Sequence, residues 1–218
     1  LGAGEFIPLA EEVGLMVPLS DWMLNSVCSD MKKWGPLCGN RFKLSLNLSP
    51  QYLDRGNFPQ KLFEALNQHG IAPSQVEVEI TENVSIRSPQ SAFEQLEQMA
   101  RHGITIAIDD FGTGYSALSY LHKFPINAIK IDQSFVREIQ SAHGHYPVVL
   151  AIISIAKGLG LRLVAEGVET DIQARYLEQA GCTVMQGYLY YQPMTSDTLM
   201  TVLLKNVTVL ARGNSNTH

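Results

Sequence analysis

Six short apolar segments of this 218-residue chain each carry, at or near their ends, a side chain that can hold a cation or move a proton. The segments are KLSLNLS (43–49), QVEVEITE (75–82), ITIAIDDFG (104–112), NAIKIDQ (127–133), RLVAEGVE (162–169) and TVMQGYL (183–189). The residues are Asn47, Glu79, Asp109 with Asp110, Lys130, Glu166 and Gln186. Their ligand atoms are carboxylate and amide oxygens, with no clustered His or Cys. That set suits a hard divalent cation, Mg²⁺ or Mn²⁺, and not zinc or copper. Such a cation neutralises the charge that gathers when a phosphate ester is attacked.

Positioning these groups requires strands. Leu44, Leu46 and Leu48 alternate with Lys43, Ser45 and Asn47, and Val76, Val78 and Ile80 with Glu77, Glu79 and Thr81. Ile104, Ile106 and Ile108 alternate with Thr105, Ala107 and Asp109, and Ile129 and Ile131 with Ala128, Lys130 and Asp132. Period-two alternation is the signature of a strand with two unlike faces. The aliphatic face is expected to pack on helices, and the polar face to point into a barrel or crevice. Carboxylates buried there must be paired, metal-bound or solvated.

Between the strands the period changes. Helices are expected near 19–34, ending before Gly35-Pro36, at 59–68, from Ser88-Pro89 to Gly103, at 147–158, from Thr170 to Gly181, and at 196–205. Serine or threonine before, proline at the first turn and glycine after are helix start and stop signals. The run PVVLAIISIAKG predicts a heavily buried helix. The alternation of helix and strand indicates a parallel α/β fold with its site at the carboxyl ends of the strands. Six strands are visible where a closed (β/α)8 barrel has eight. Either the sheet is open and doubly wound, or the barrel is incomplete.

The chain is 45% hydrophobic with a net charge of −5, enough for one core and without a basic stripe for polymeric nucleic acid. Cys28, Cys38 and Cys182 fit neither a disulfide framework nor a zinc set, so reduced thiols and a cytoplasmic setting are expected. No apolar run reaches the ~18–20 residues a membrane-spanning helix needs. His143 and His145 lie in an ordinary loop, and His69, His102 and His122 near helix ends.

The stretches EFIPLAEEVGLM, LNLSPQYL, EVEITE, IDDFGTGYSAL, IKIDQSFV, VAEGVET and QGYLYYQP run in order from residue 5 to 193. In them the chain resembles the EAL-domain family of cyclic di-GMP phosphodiesterases. The resemblance implies a modified TIM-type (β/α)8 barrel that uses Mg²⁺ or Mn²⁺ to hydrolyse cyclic di-GMP to linear pGpG. It implies that Asn47, Glu79 and Asp109 are metal ligands and that Asp110 binds a second metal. Lys130 would hold the attacking water and Glu166 would act as general base or metal-site carboxylate, with Gln186 and Glu169 in support. Glu82 would fix the loop Phe111, Gly112, Thr113, Gly114, Tyr115 and Ser116, which couples homodimer formation to activity.

The family's naming Glu-Ala-Leu motif and first barrel strand are expected upstream of Leu1. The chain thus reads as an amino-terminally truncated domain over 1–206 with a polar tail at 207–218. Reduced activity and self-association through exposed strand edges are expected of it. Upstream segments of the parent protein could tether it to a membrane. Two other readings compete: a cyclic di-GMP receptor or protein-interaction module without turnover, and an unrelated metal-dependent barrel acting on a carboxylate substrate.

Overall fold

The computed structural model describes residues 2–38, 42–82, 89–114, 121 and 123–213, except for the side chains of residues 3, 38 and 206–213. Its strands are β1 (Leu44–Asn47), β2 (Val76–Thr81), β3 (Thr105–Phe111), β4 (Ala128–Ile131), β5 (Arg162–Ala165) and β6 (Val184–Met185). They form one parallel sheet in chain order, with β1 and β6 at its edges. A doubly wound sheet reverses its order at a switch point. Here the order never reverses, as in six successive strands of a (β/α)8 barrel. The doubly wound alternative is therefore corrected to a part-barrel.

The helices are α1 (Ala3–Glu12), α2 (Met16–Cys38), α3 (Pro50–Arg55), α4 (Phe58–His69), α5 (Pro89–Arg101), α6 (Gln133–Arg137), α7 (Pro147–Gly158), α8 (Asp171–Ala180) and α9 (Ser196–Gly213). Proline opens α3, α4 and α7, where its missing N–H costs nothing. In α8 the Thr170 hydroxyl accepts from the Gln173 N–H while the Gln173 side chain accepts from the Thr170 N–H, and Gly181 ends the helix in the left-handed region. Removing that cap with Thr170→Ala would cost ~1 kcal/mol. In α4, Leu62, Ala65 and Leu66 lie buried on one stripe. Burying each leucine contributes ~1.5–3 kcal/mol.

Several expected boundaries move. The helix expected to end before Gly35-Pro36 runs on, since α2 passes through Pro36 to Cys38, and α1, which contains Pro8, was not among the expected helices. Pro8 would press on the carbonyl of Gly4, four residues back in the first turn, and Pro36 lies in the last turn of its helix. The last helix continues past residue 205 to Gly213, along the still partly apolar NVTVLA. The run in α7 is not buried all round. Val149, Ile152, Ile153 and Ala156 face the core, whereas Val148 is exposed. Ser88 and His122 lie outside the described residues.

The sheet has the two expected faces. Val76, Val78, Ile80, Ile106, Ile108, Ile129 and Ile131 are buried in the main core beneath the helices. The other face carries charge at both ends. At the amino-terminal end the Ser45 hydroxyl donates to Glu77 at 3.3 Å, Arg162 pairs with Glu77, and Lys43 donates to Thr105. Between the ends sit Ala107 and Ala128, in register with each other and fully buried. Phe6, Leu9, Val13, Leu15 and Leu19 of the α1–α2 corner line an apolar groove of about 530 Å³. Cys28 and Cys182 are buried free thiols.

Candidate active site

Lys130 stands at the carboxyl end of the polar face, buried between three carboxylates. Its Nζ lies 2.5 Å from Glu166 Oε1, 2.7 Å from Glu79 Oε2 and 3.2 Å from Asp109 Oδ1. Each partner comes from a different strand or strand end: β2, β3 and the residue after β5. The parallel register brings them together, because Thr81 pairs with Asp109 and Ala165 with Ile131. The small Ala107 and Ala128 below leave space for these long side chains.

Asp109 and Asp110 are consecutive, so strict alternation would send them to opposite faces. A bulge overrides the alternation. Ile108 pairs with Ile129 and Phe111 with Ile131, so both aspartates oppose Lys130. One extra residue re-aims a side chain in this way. Asp110 takes the local strain, with φ of 53° on a non-glycine residue. The Asp110 N–H donates to Asp109 Oδ1 at 3.1 Å, and the Asp110 carboxyl hydrogen-bonds Asp132. Asp132 in turn caps α6 by accepting from the Ser134 N–H at 3.0 Å and from its hydroxyl.

Burial pushes the Glu166 carboxyl up to about 7. The hydrogen bond and charge of Lys130 oppose that rise, and the charges of Asp109 and Glu79 add to it. Burial, then the charges of Asp109 and Asp132, raise Asp110 to about 6. Burial pulls Lys130 down, but the charge of Glu79 and the hydrogen bond and charge of Glu166 outweigh it, so its pKa is raised. Lys130 is therefore an ammonium throughout the physiological range, and Glu166 is poised to exchange a proton near neutrality.

The other candidates take up flanking positions. Asn47 ends β1 in register with Glu79 and is exposed. Glu82 is buried. Its Oε2 accepts from the Gly112 N–H at 2.7 Å, and its own N–H donates to the Asp109 carbonyl. Phe111 returns to the core, Gly112 turns with φ of 102°, and the Thr113 hydroxyl donates to the Asp110 carbonyl at 2.8 Å. Gly114 is the last described residue of that loop; Tyr115 and Ser116 lie outside the described residues. Gln186 follows the two-residue strand β6 and does not belong to it. Its N–H donates to Ala165 and its carbonyl accepts from Val168. Glu169 is exposed, beside Glu166 in a cleft of about 250 Å³. Sequence reasoning set Asp132 on the polar face but gave it no part. Its spacing of two from Lys130 was the available signal.

The carboxylate oxygens of Asp109, Asp110 and Glu166 lie within 4.8 Å of one another. Hard divalent cations bind oxygen at about 2.0–2.6 Å, so ligands on opposite sides of one ion stand about 4–5 Å apart. The three carboxylates therefore fit a divalent cation. Four carboxylates (Glu79, Asp109, Asp110, Glu166) against the ammonium of Lys130 leave an excess of negative charge for it to neutralise. Among the described residues, no helix is long and apolar enough to cross a membrane.

The chain is similar to known proteins over most of its length. The family model for the EAL domain matches residues 1–193. The bifunctional diguanylate cyclase/cyclic di-GMP phosphodiesterase MucR of Pseudomonas aeruginosa is 36% identical over 197 residues, which are 90% of this chain and 29% of MucR. The cyclic di-GMP phosphodiesterase NbdA of the same organism is 36% identical over 194 residues, 89% of this chain and 25% of NbdA. The chain thus spans between a quarter and a third of these relatives. Among solved structures, the PaMucR phosphodiesterase in complex with c-di-GMP aligns with a TM-score of 0.84 at 36% identity, covering 91% of this chain and 81% of that one. The EAL domain of Mycobacterium smegmatis DcpA aligns with a TM-score of 0.80 at 37% identity, covering 86% and 84%.

Proposed function

The chain belongs to the EAL domain family, and from that membership we propose that it hydrolyses a phosphodiester bond of cyclic di-GMP to give linear pGpG. The observation that carries the reading is the convergence of Glu79, Asp109 and Glu166 on Lys130, with Asp110 turned to the same side by a bulge. Relatives named as cyclic di-GMP phosphodiesterases and a neighbour solved with c-di-GMP support the substrate.

Asp109, Asp110 and Glu166 would hold Mg²⁺ or Mn²⁺, with Glu79 and Asn47 beside them. When bound, the cation supplies positive charge against the phosphate oxygens. Glu166 accepts the proton of the attacking water at its carboxylate oxygen. Lys130 donates hydrogen bonds that orient Glu166 and stabilise developing negative charge on the phosphate. Glu82 fixes the turn at Gly112 and so sets the direction in which Asp109 and Asp110 leave β3. The loop from Phe111 to Ser116 would couple this turn to a second copy of the chain in a homodimer.

Incubation with Mn²⁺ and cyclic di-GMP tests the reading. Linear product that vanishes with Glu166→Gln is the expected result. Saturable binding without product would make the chain a receptor.

A further inference from the structure

The turn that follows β3 is under strain. Asp110 holds a φ of 53°, which a non-glycine residue keeps only where its surroundings over-determine it. Phe111 is in register with Ile131 and its side chain is buried. The Gly112 N–H donates to Glu82 at 2.7 Å, which fixes one atom of the turn.

Two helices also close on it. A Cβ on Gly112 would stand 2.8 Å from Phe135 Cε2, 3.2 Å from Phe135 Cζ and 3.1 Å from Ile152 Cδ1. The edge of the Phe135 ring therefore lies against the backbone at Gly112, with Ile152 of α7 beside it. A φ of 102° and this lack of space both call for glycine there. Phe135 is half-buried and packs on the main core, so its ring has support behind it.

Helix α6 carries that ring and is itself tied to the site. Asp132 caps its first turn and hydrogen-bonds the Asp110 carboxyl. Phe135 follows three residues later. One short helix thus grips the chain at Asp110 and at Gly112, on both sides of Phe111. The grip matters because the oxygens of Asp109, Asp110 and Glu166 must stay within 4.8 Å of one another to share an ion. A turn free to relax at Gly112 would let Asp110 leave its strained conformation and draw its carboxylate away.

We infer that Phe135 is a positioning residue for the cation site: its ring, pressed on the Gly112 turn, keeps Asp109 and Asp110 aimed at one ion. The inference rests on the cation reading above. Phe135 has no proton to move and no ligand atom to offer, so its part is to hold the geometry that those groups need.

The test is calorimetric titration of the chain with Mn²⁺, alongside steady-state hydrolysis of cyclic di-GMP. Phe135→Ala should weaken Mn²⁺ binding about ten- to a hundredfold, the usual worth of a support behind metal ligands. At saturating Mn²⁺ it should lower kcat about tenfold and leave KM within a few-fold. Phe135→Leu keeps apolar bulk and should bind Mn²⁺ with intermediate affinity, which carries the test if the alanine variant does not fold. Phe63→Ala removes an equal ring from the same core on α4. It should lower the melting temperature and leave Mn²⁺ affinity at the wild-type value. Gly112→Ala should weaken Mn²⁺ binding less in the Phe135→Ala background than in wild type, because the ring its methyl would meet is gone. Wild-type Mn²⁺ affinity in both Phe135 variants, or an equal loss in Phe63→Ala, overturns the positioning role alone. No Mn²⁺ binding by wild type overturns the cation site and the positioning role with it.

Discussion

At the amino-terminal end of the polar face Glu77 is buried against Arg162 and Ser45, with Lys43 on Thr105 beside it. At the carboxyl end Glu79, Asp109 and Glu166 share the ammonium of Lys130, and Asp110 crowds in through the bulge. Both ends bury acidic side chains on the same strands. The difference is balance. The first end sets one carboxylate against two cations and closes on itself as a structural seal. The second sets four carboxylates against one cation, and two of them, Asp110 and Glu166, are driven up to about 6 and about 7. Charge left uncompensated marks the reactive end.

The largest effect that would sharpen this comparison is chemical. Glu166→Gln should lower the rate of cyclic di-GMP hydrolysis about 10²–10⁴-fold, the usual worth of a general base, while the melting temperature stays the same or rises. Glu77→Gln should leave the turnover of folded protein within a few-fold of wild type. Product assays at matched folded fractions check both. Equal loss of activity at the two ends would break the comparison.

Next in size is stability. Lys130→Met leaves the buried Glu79 and Asp109 and the half-buried Glu166 without their counter-ion and should cost about 3–5 kcal/mol in metal-free denaturant unfolding. Millimolar Mn²⁺ should restore part of that loss. Glu77→Gln should cost less, about 1–3 kcal/mol, because Arg162 is partly exposed and regains water. Mn²⁺ should not rescue it. Rescue at the wrong end would show that the seal, and not the acidic cluster, is the cation site.

The smallest effect is a dependence on pH. Asp110 and Glu166 bind their protons more tightly in the folded chain than in the unfolded one. The folded state therefore carries extra protons above the ordinary carboxylate range, and the stability they contribute is lost as pH rises through about 6 and about 7. Metal-free melting temperatures should fall by a few degrees across that window, at ~2–4 °C per kcal/mol. Glu166→Gln should flatten the fall and Glu77→Gln should not. A profile unchanged by Glu166→Gln would contradict the assignment.

The alternating strands made most of this arrangement readable from sequence. Glu79, Asp109, Lys130 and Glu166 fall at strand ends on the polar side, and parallel β/α geometry then requires them to meet. Asp110 could not be read that way, because the bulge that turns it toward Lys130 breaks the alternation on which the reading depends. The Glu77–Arg162 pair joins residues 85 apart and needs the strand order as well as the strands. Gln186 was set in a strand that ends one residue earlier. Pro36 ended the expected helix too early, because α2 carries it within its last turn.

The central claim is that uncompensated carboxylates at the carboxyl end of the sheet hold a divalent cation. Anomalous scattering from Mn²⁺-soaked crystals tests it most directly. The account predicts a peak about 2.0–2.6 Å from oxygens of Asp109, Asp110 and Glu166. Bound Mn²⁺ elsewhere, with Lys130 still bridging Glu79, Asp109 and Glu166 and no peak between the three carboxylates, would contradict it.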